Sequence, residues 1–125
     1  MNWSALGAAS LALAVAAGAF GAHGLRGRLD DYSMGIYERA VLYHFIHALG
    51  LLFVPLFSRL DLLSTSAATR VCAFLLAGIV LFSGSLYILA LSGIRLLGAV
   101  TPFGGMAFII GWALLAFKLA RRSRV

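Results

Sequence analysis

Charged residues are scarce in this sequence. Of its 125 residues, 62% are hydrophobic and 11% are charged, whereas an ordinary soluble domain is about 45–50% apolar and about 25% charged. The chain has too few charged groups to cover a water-facing surface, so we predict an integral membrane protein. Since a transmembrane helix takes about 20 apolar residues, the length allows about four spans and no separate soluble catalytic domain.

Acidic residues and cysteine are rarer still. The four Asp and Glu residues lie in loops or at helix edges, which disfavours a pump driven by a membrane-embedded carboxylate. The single cysteine, Cys72, excludes an intramolecular disulfide and a thiolate metal cluster. The sequence signatures of nucleotide-binding proteins, zinc proteases and serine hydrolases are also absent. We therefore expect a protein that is not an enzyme.

Long apolar windows make up most of the chain. Windows without Asp, Glu, Lys or Arg cover residues 1–25, 40–58, 71–94 and 96–117. Each can cross about 30 Å of hydrocarbon as an α-helix, and their continuous apolar character excludes a β-barrel. We predict an all-α, single-domain, four-helix transmembrane bundle. Its helices are expected at approximately 3–22, 34–58, 67–91 and 102–121.

Local signals mark the ends of these helices. Asp30, Asp31 and Ser33 offer capping oxygens before the second helix, and Gly93 is expected to end the third. Thr101 is predicted to cap the fourth helix, because a proline follows it at the first helical position.

The basic residues set the expected orientation. With four spans, both termini and the second loop share one side, which carries six Lys or Arg residues against four on the other side. The six are Arg59, Arg70, Lys118, Arg121, Arg122 and Arg124, and the four are Arg26, Arg28, Arg39 and Arg95. The positive-inside rule then favours cytoplasmic termini. Because these residues lie at segment ends and form no basic surface, they indicate contact with membrane lipid and no nucleic-acid partner.

Histidines and uncharged polar side chains collect toward one end of the predicted bundle. His23 ends the first helix where the second begins, and His44 and His47 share a face of the second. The third helix ends on the same side, and the fourth begins there. Polar groups are costly in lipid, so we interpret this asymmetry as a polar pocket or network in the outer leaflet. The candidate site residues are His23, Tyr43, His44, His47, Ser83, Ser85, Tyr87, Arg95 and Thr101.

The three histidines have three possible roles. A His-x-x-His pair on a helix can ligate one metal ion or a haem, with His23 as a third imidazole. Alternatively, the imidazoles hydrogen-bond across helices, or they serve a proton-linked process. We favour the hydrogen-bonding role, which requires no cofactor.

Four segments of the sequence resemble a known family. They are GAFGAHGL at 18–25, YHFIHAL at 43–49, SGSLY at 83–87 and TPFGG at 101–105. The chain is similar in these segments to the YgdD/YwdK family of small membrane proteins, the domain of unknown function 423 of UPF0382 type. The resemblance implies a multi-pass protein of the bacterial plasma (inner) membrane with four spans. It implies no activity and no catalytic residue.

Three classes of function fit these observations. We favour a non-enzymatic membrane component that binds a lipid, a small ligand or a partner through the polar cluster. The alternatives are a small-molecule or ion transporter or channel element and a His-based metal or haem protein. A transporter of this size is expected to be a homo-oligomer, because four short helices enclose little lumen.

Overall fold

The computed structural model describes residues 1–122, and within that range the chain contains helices and no strand. Arg124, one of the basic residues counted above, lies outside the described residues. Helix α1 covers Trp3–Phe20 and continues as a π-helical turn, Gly21–Leu25, and α2 covers Asp31–Arg59. Helix α3 covers Thr65–Gly78 and is followed by a second π-helical turn, Ile79–Ser83, and by α4, Gly84–Ser92. A 3-10 turn, Arg95–Ala99, leads into α5, Thr101–Arg122.

These elements form four spans, each long and apolar enough to cross a membrane. The spans are Trp3–Leu25, Asp31–Arg59, Thr65–Ser92 and Arg95–Arg122. The prediction of an all-α, four-helix membrane bundle is confirmed. The sequence did not predict the two π-helical turns, which widen a helix by one residue per turn and often occur at functional sites.

The caps explain where the helices begin and end. Asp30 caps α2, since its Oδ1 accepts a hydrogen bond from the Ser33 backbone N–H at 2.7 Å. This bond lowers the pKa of the Asp30 carboxyl from its ordinary value, so the carboxylate persists to lower pH. Gly93 ends α4 in the left-handed conformation with φ 72°, as predicted. Thr101 is instead the first residue of α5, and its hydroxyl contacts Ser85.

Helix α2 lies at the centre of the bundle and contacts α1, α3 and α4, while α5 packs mainly on α3 and the π-helical turn after it. The buried side chains form two apolar clusters along α2. One contains Leu51, Val54 and Leu75, and the other contains Tyr37 and Leu86. His44 and His47 lie on α2 between these clusters, near the midpoint of the span.

Candidate functional site

The candidate site is centred on the imidazole of His44, which is 7% exposed. Its Nε2 lies 2.9 Å from Ser10 Oγ on α1, and its Nδ1 lies 2.9 Å from the Tyr87 hydroxyl on α4. The Tyr87 ring also packs edge-on against Tyr37 at a centroid distance of 5.3 Å. One histidine therefore joins three spans through its two ring nitrogens.

The three hydrogen-bonded side chains Ser10, His44 and Tyr87 carry one more donor than their two contacts use. Ser10, a neutral His44 and Tyr87 each carry one proton that can be donated, and the chain has only two contacts. If Nδ1 carries the imidazole proton, the Tyr87 O–H is left over; if Nε2 carries it, the Ser10 O–H is left over. Neither hydroxyl has another partner within residues 1–122. In both tautomers, one hydroxyl is free to donate to a ligand.

The chain of hydroxyls and imidazole lines a groove between α1 and the third span, with a volume of about 590 Å³. Apart from Ser10, His44, Ser85 and Tyr87, the walls are apolar or glycine. The apolar lining residues include Leu6, Ala9, Leu13, Leu76, Val80, Ile88 and Leu97. A groove with apolar walls and a few convergent polar groups is the usual form of a small-molecule site.

Three predicted hydroxyl residues, Ser83, Ser85 and Thr101, add polar contacts between the third span and its neighbours. Ser85 Oγ lies 2.7 Å from Thr101 Oγ1 and also donates to the Phe82 carbonyl at 3.0 Å. Ser83, which is fully buried at the end of the second π-helical turn, donates to the Ala40 carbonyl of α2 at 2.9 Å. These hydroxyls join the third span to α2 and to α5 next to the groove.

His47 makes no hydrogen bond with Ser10, His44 or Tyr87. Its Nδ1–H donates to the Tyr43 carbonyl one turn earlier at 2.7 Å, and its ring stacks on Phe108 of α5 at a centroid distance of 3.4 Å. Tyr43 and His47 line a second cavity, between α2 and α5. The His-x-x-His pair therefore serves two different cavities.

His23 and Arg95 lie at the end of the bundle and are exposed. Within residues 1–122, no three His, Cys, Asp or Glu side chains are grouped so that they could hold a metal ion. Since His44 uses both ring nitrogens in hydrogen bonds and His47 faces another cavity, the three-imidazole arrangement is not formed. The one predicted cluster is in fact several separate contacts.

Sequence reasoning missed Ser10, the partner of His44 on α1. A weak signal was available, because Gly7, Ser10 and Ala14 recur at helical spacing and are the buried residues of α1. Small residues on one helix face permit close approach in a membrane. A single Ser on that face therefore had a partner helix to bond to, but its partner residue could not be named.

Comparison with known proteins identifies the family. Residues 17–105, which include His44, His47, Tyr87 and Thr101, match the model of the family described as "Protein of unknown function (DUF423)". The chain belongs to this family.

The DUF423 relatives cover nearly the whole chain. A UPF0382 membrane protein of Staphylococcus epidermidis is 51% identical over 110 residues, which are 88% of each chain. The UPF0382 membrane protein YwdK of Bacillus subtilis is 50% identical over 110 residues, which are 88% of this chain and 89% of that one. No solved structure matches the chain. The resemblance noted in the sequence is confirmed.

Proposed function

We propose that this DUF423 protein is a non-enzymatic component of the bacterial plasma membrane that binds a lipid in the groove between α1 and the third span. One observation carries the proposal: the Ser10–His44–Tyr87 chain leaves one hydroxyl donor without a partner in an otherwise apolar groove. A buried donor without a partner costs about 1–3 kcal/mol, and a bound acceptor removes that cost.

The chemistry of the groove defines the ligand. Its apolar walls complement an acyl chain, and the free hydroxyl complements an ester or carbonyl oxygen. Within the described residues, 1–122, no Lys, Arg, Asp or Glu lines the groove, so we expect a charged head group to remain outside it. We therefore expect the ligand to enter from the membrane with an acyl chain foremost.

Binding is favoured over hydrolysis for a specific reason. Ser10 and His44 lie at the distance of a nucleophile and its base. The other ring nitrogen, however, contacts the Tyr87 hydroxyl, and a neutral hydroxyl stabilises an imidazolium far less than a carboxylate does. The Ser10–His44–Tyr87 hydrogen bonds are thus suited to holding a ligand oxygen and poorly suited to activating a serine.

Filling the groove is expected to remove the bound lipid. Ala9 on α1 is exposed and lines the groove, so Ala9→Phe places a ring inside it, whereas the neighbouring Ala8 is exposed and lies outside the lining. After extraction from phosphatidylethanolamine and phosphatidylglycerol bilayers, native mass spectrometry is expected to show several-fold less retained lipid on Ala9→Phe and no change on Ala8→Phe. Equal retention by both variants contradicts the proposal. The same spectra count protomers and so test the expected homo-oligomer.

We also propose that both termini face the cytoplasm, on the basis of the six-to-four bias in basic residues. Cys72 is the single cysteine of the chain and is fully buried, so an added cysteine reports its own location. Ile94→Cys, at an exposed position between the third and fourth spans, is expected to react with an impermeant maleimide in intact cells. Leu60→Cys in the second loop is expected to react only after permeabilisation. The reverse pattern means that the orientation is inverted.

A further inference from the structure

A second buried histidine has a nitrogen without a partner. His47 is 4% exposed, and its Nδ1–H donates to the Tyr43 carbonyl. This bond assigns the proton to Nδ1, so Nε2 carries a lone pair and acts only as an acceptor. No residue within 1–122 donates to Nε2. Since every fully buried side-chain N or O atom in the described residues has a partner, Nε2 keeps some accessible surface, and His47 lines the cavity between α2 and α5.

The cavity beside His47 has aromatic walls. It lies between α2 and α5, has a volume of about 630 Å³, and is lined by Phe82, Phe108 and Trp112 together with Tyr43 and His47. The Tyr43 hydroxyl also lacks a hydrogen-bond partner among the described residues. One acceptor, His47 Nε2, and two donors, the Tyr43 hydroxyl and the Trp112 indole N–H, therefore belong to residues that line the same aromatic cavity. Trp112 is 38% exposed, so the cavity is accessible from the lipid side of α5.

We propose that this cavity binds the reduced ring of a membrane quinol, separately from the lipid groove. A quinol ring is planar and matches walls of Phe and Trp, on which aromatic rings stack favourably. Its hydroxyl donates to His47 Nε2 and accepts from the Tyr43 hydroxyl. The oxidised quinone has only acceptors and cannot donate to Nε2, so the cavity selects the reduced form.

The other ligand of a lone imidazole is haem, and the lining argues against it. Haem carries two propionates, and a buried carboxylate needs a cation or several donors. Among residues 1–122, no Lys or Arg lines this cavity, and its side-chain donors are the Tyr43 hydroxyl and the Trp112 indole N–H. A quinol ring carries no charge and so needs no cation in the cavity.

The test compares a quinol with its dimethyl ether, which keeps the ring and the acceptor oxygens but has no O–H to donate. Anaerobic calorimetric titrations of the protein in micelles, corrected with empty micelles, use duroquinol and its dimethyl ether. Duroquinol is expected to bind at least tenfold more tightly than the ether. In protein with ¹⁵N-labelled histidine, duroquinol is expected to shift the Nε2 resonance of His47, which accepts the hydrogen bond, and to leave that of His44 unchanged.

Matched variants complete the test. His47→Phe keeps an aromatic ring and removes the acceptor, so it is expected to bind quinol and ether equally.

A second pair of variants tests the location of the site. Ala113 lines the cavity and Ala116 lies outside it, although both are exposed on α5. Ala113→Phe is expected to weaken duroquinol binding at least tenfold, and Ala116→Phe is expected to leave it unchanged. Equal binding of quinol and ether to the unmodified protein overturns the proposal, as does full binding by folded Ala113→Phe. Neither result affects the lipid groove.

Discussion

Gly104→Ala is expected to destabilise the bundle more than any other single methyl addition in α5. A Cβ at Gly104 would lie 2.3 Å from the backbone N of Phe82 and 2.7 Å from its Cα. Real Cβ atoms do not approach other atoms so closely, and neither contact can be relieved by rotating a side chain. The variant must therefore separate α5 from the π-helical turn that contains Phe82.

The size of this effect follows from the packing of membrane helices. Small residues hold such helices together because they let the backbones approach closely. Adding atoms to a packed interface costs about 1–3 kcal/mol and occasionally more, and we expect Gly104→Ala to reach at least the upper end of that range. The free energy of unfolding is measured by titrating the protein from mild detergent into sodium dodecyl sulfate.

The neighbouring glycine provides the control. At Gly105, the nearest atom to an added Cβ is Phe82 Cδ2 at 3.8 Å, an ordinary contact. Gly105→Ala is therefore expected to change the free energy of unfolding by less than about 1 kcal/mol. If the two variants are equally stable, α5 does not pack against the π-helical turn as described.

His44→Phe is expected to cause the second large loss of stability. The substitution removes one hydrogen bond between α1 and α2 and one between α2 and α4, and it leaves the hydroxyls of Ser10 and Tyr87 without their His44 partner. An unpaired hydroxyl inside the bundle costs about 1–3 kcal/mol, so for the two hydroxyls we expect a total loss of about 2–6 kcal/mol. The same titration into sodium dodecyl sulfate measures it.

Removing the unpaired hydroxyls of Ser10 and Tyr87 as well is expected to recover part of the lost free energy of unfolding. The triple variant Ser10→Ala, His44→Phe, Tyr87→Phe has no unpaired hydroxyl and retains the aromatic contact with Tyr37. Replacing all partners of a buried hydrogen-bond chain by apolar groups is nearly neutral when the shape is kept. A triple variant less stable than His44→Phe means that the cost comes from packing of the larger ring rather than from the hydroxyls.

The spans could be predicted because they depend on local composition. Charged residues cannot lie in the hydrocarbon core at low cost, so their positions along the chain delimit the helices. Gly93 likewise ends a helix through its own backbone conformation. The second helix begins three residues before its predicted start, at Asp31 rather than residue 34, because Asp30, Asp31 and Ser33 were all chemically suitable caps. Only the bond from Ser33 N–H to Asp30 distinguishes them.

The candidate site was predictable only in outline. His44, Ser85 and Tyr87 were predicted to gather, and they line one groove. His47 shares a helix face with His44 yet contacts Phe108 instead. Side chains three positions apart on an α-helix differ in direction by about 60° around the helix axis, which is enough for the two histidines to face different spans. Chain direction places residues at one end of a bundle but does not state which gap between helices each side chain enters.

The sequence by itself determined that the protein lies in the membrane, how many times it crosses, and which polar side chains it places inside the spans. Those properties depend on the cost of transferring each segment into hydrocarbon, which is a sum over local residues. The tertiary structure alone decided that both ring nitrogens of His44 have hydrogen-bond partners, Ser10 and Tyr87. It also decided that, among the described residues, only the Nδ1 of His47 has one. Hydrogen bonds between spans depend on distances of a few tenths of an ångström between distant residues, and no local pattern encodes those distances.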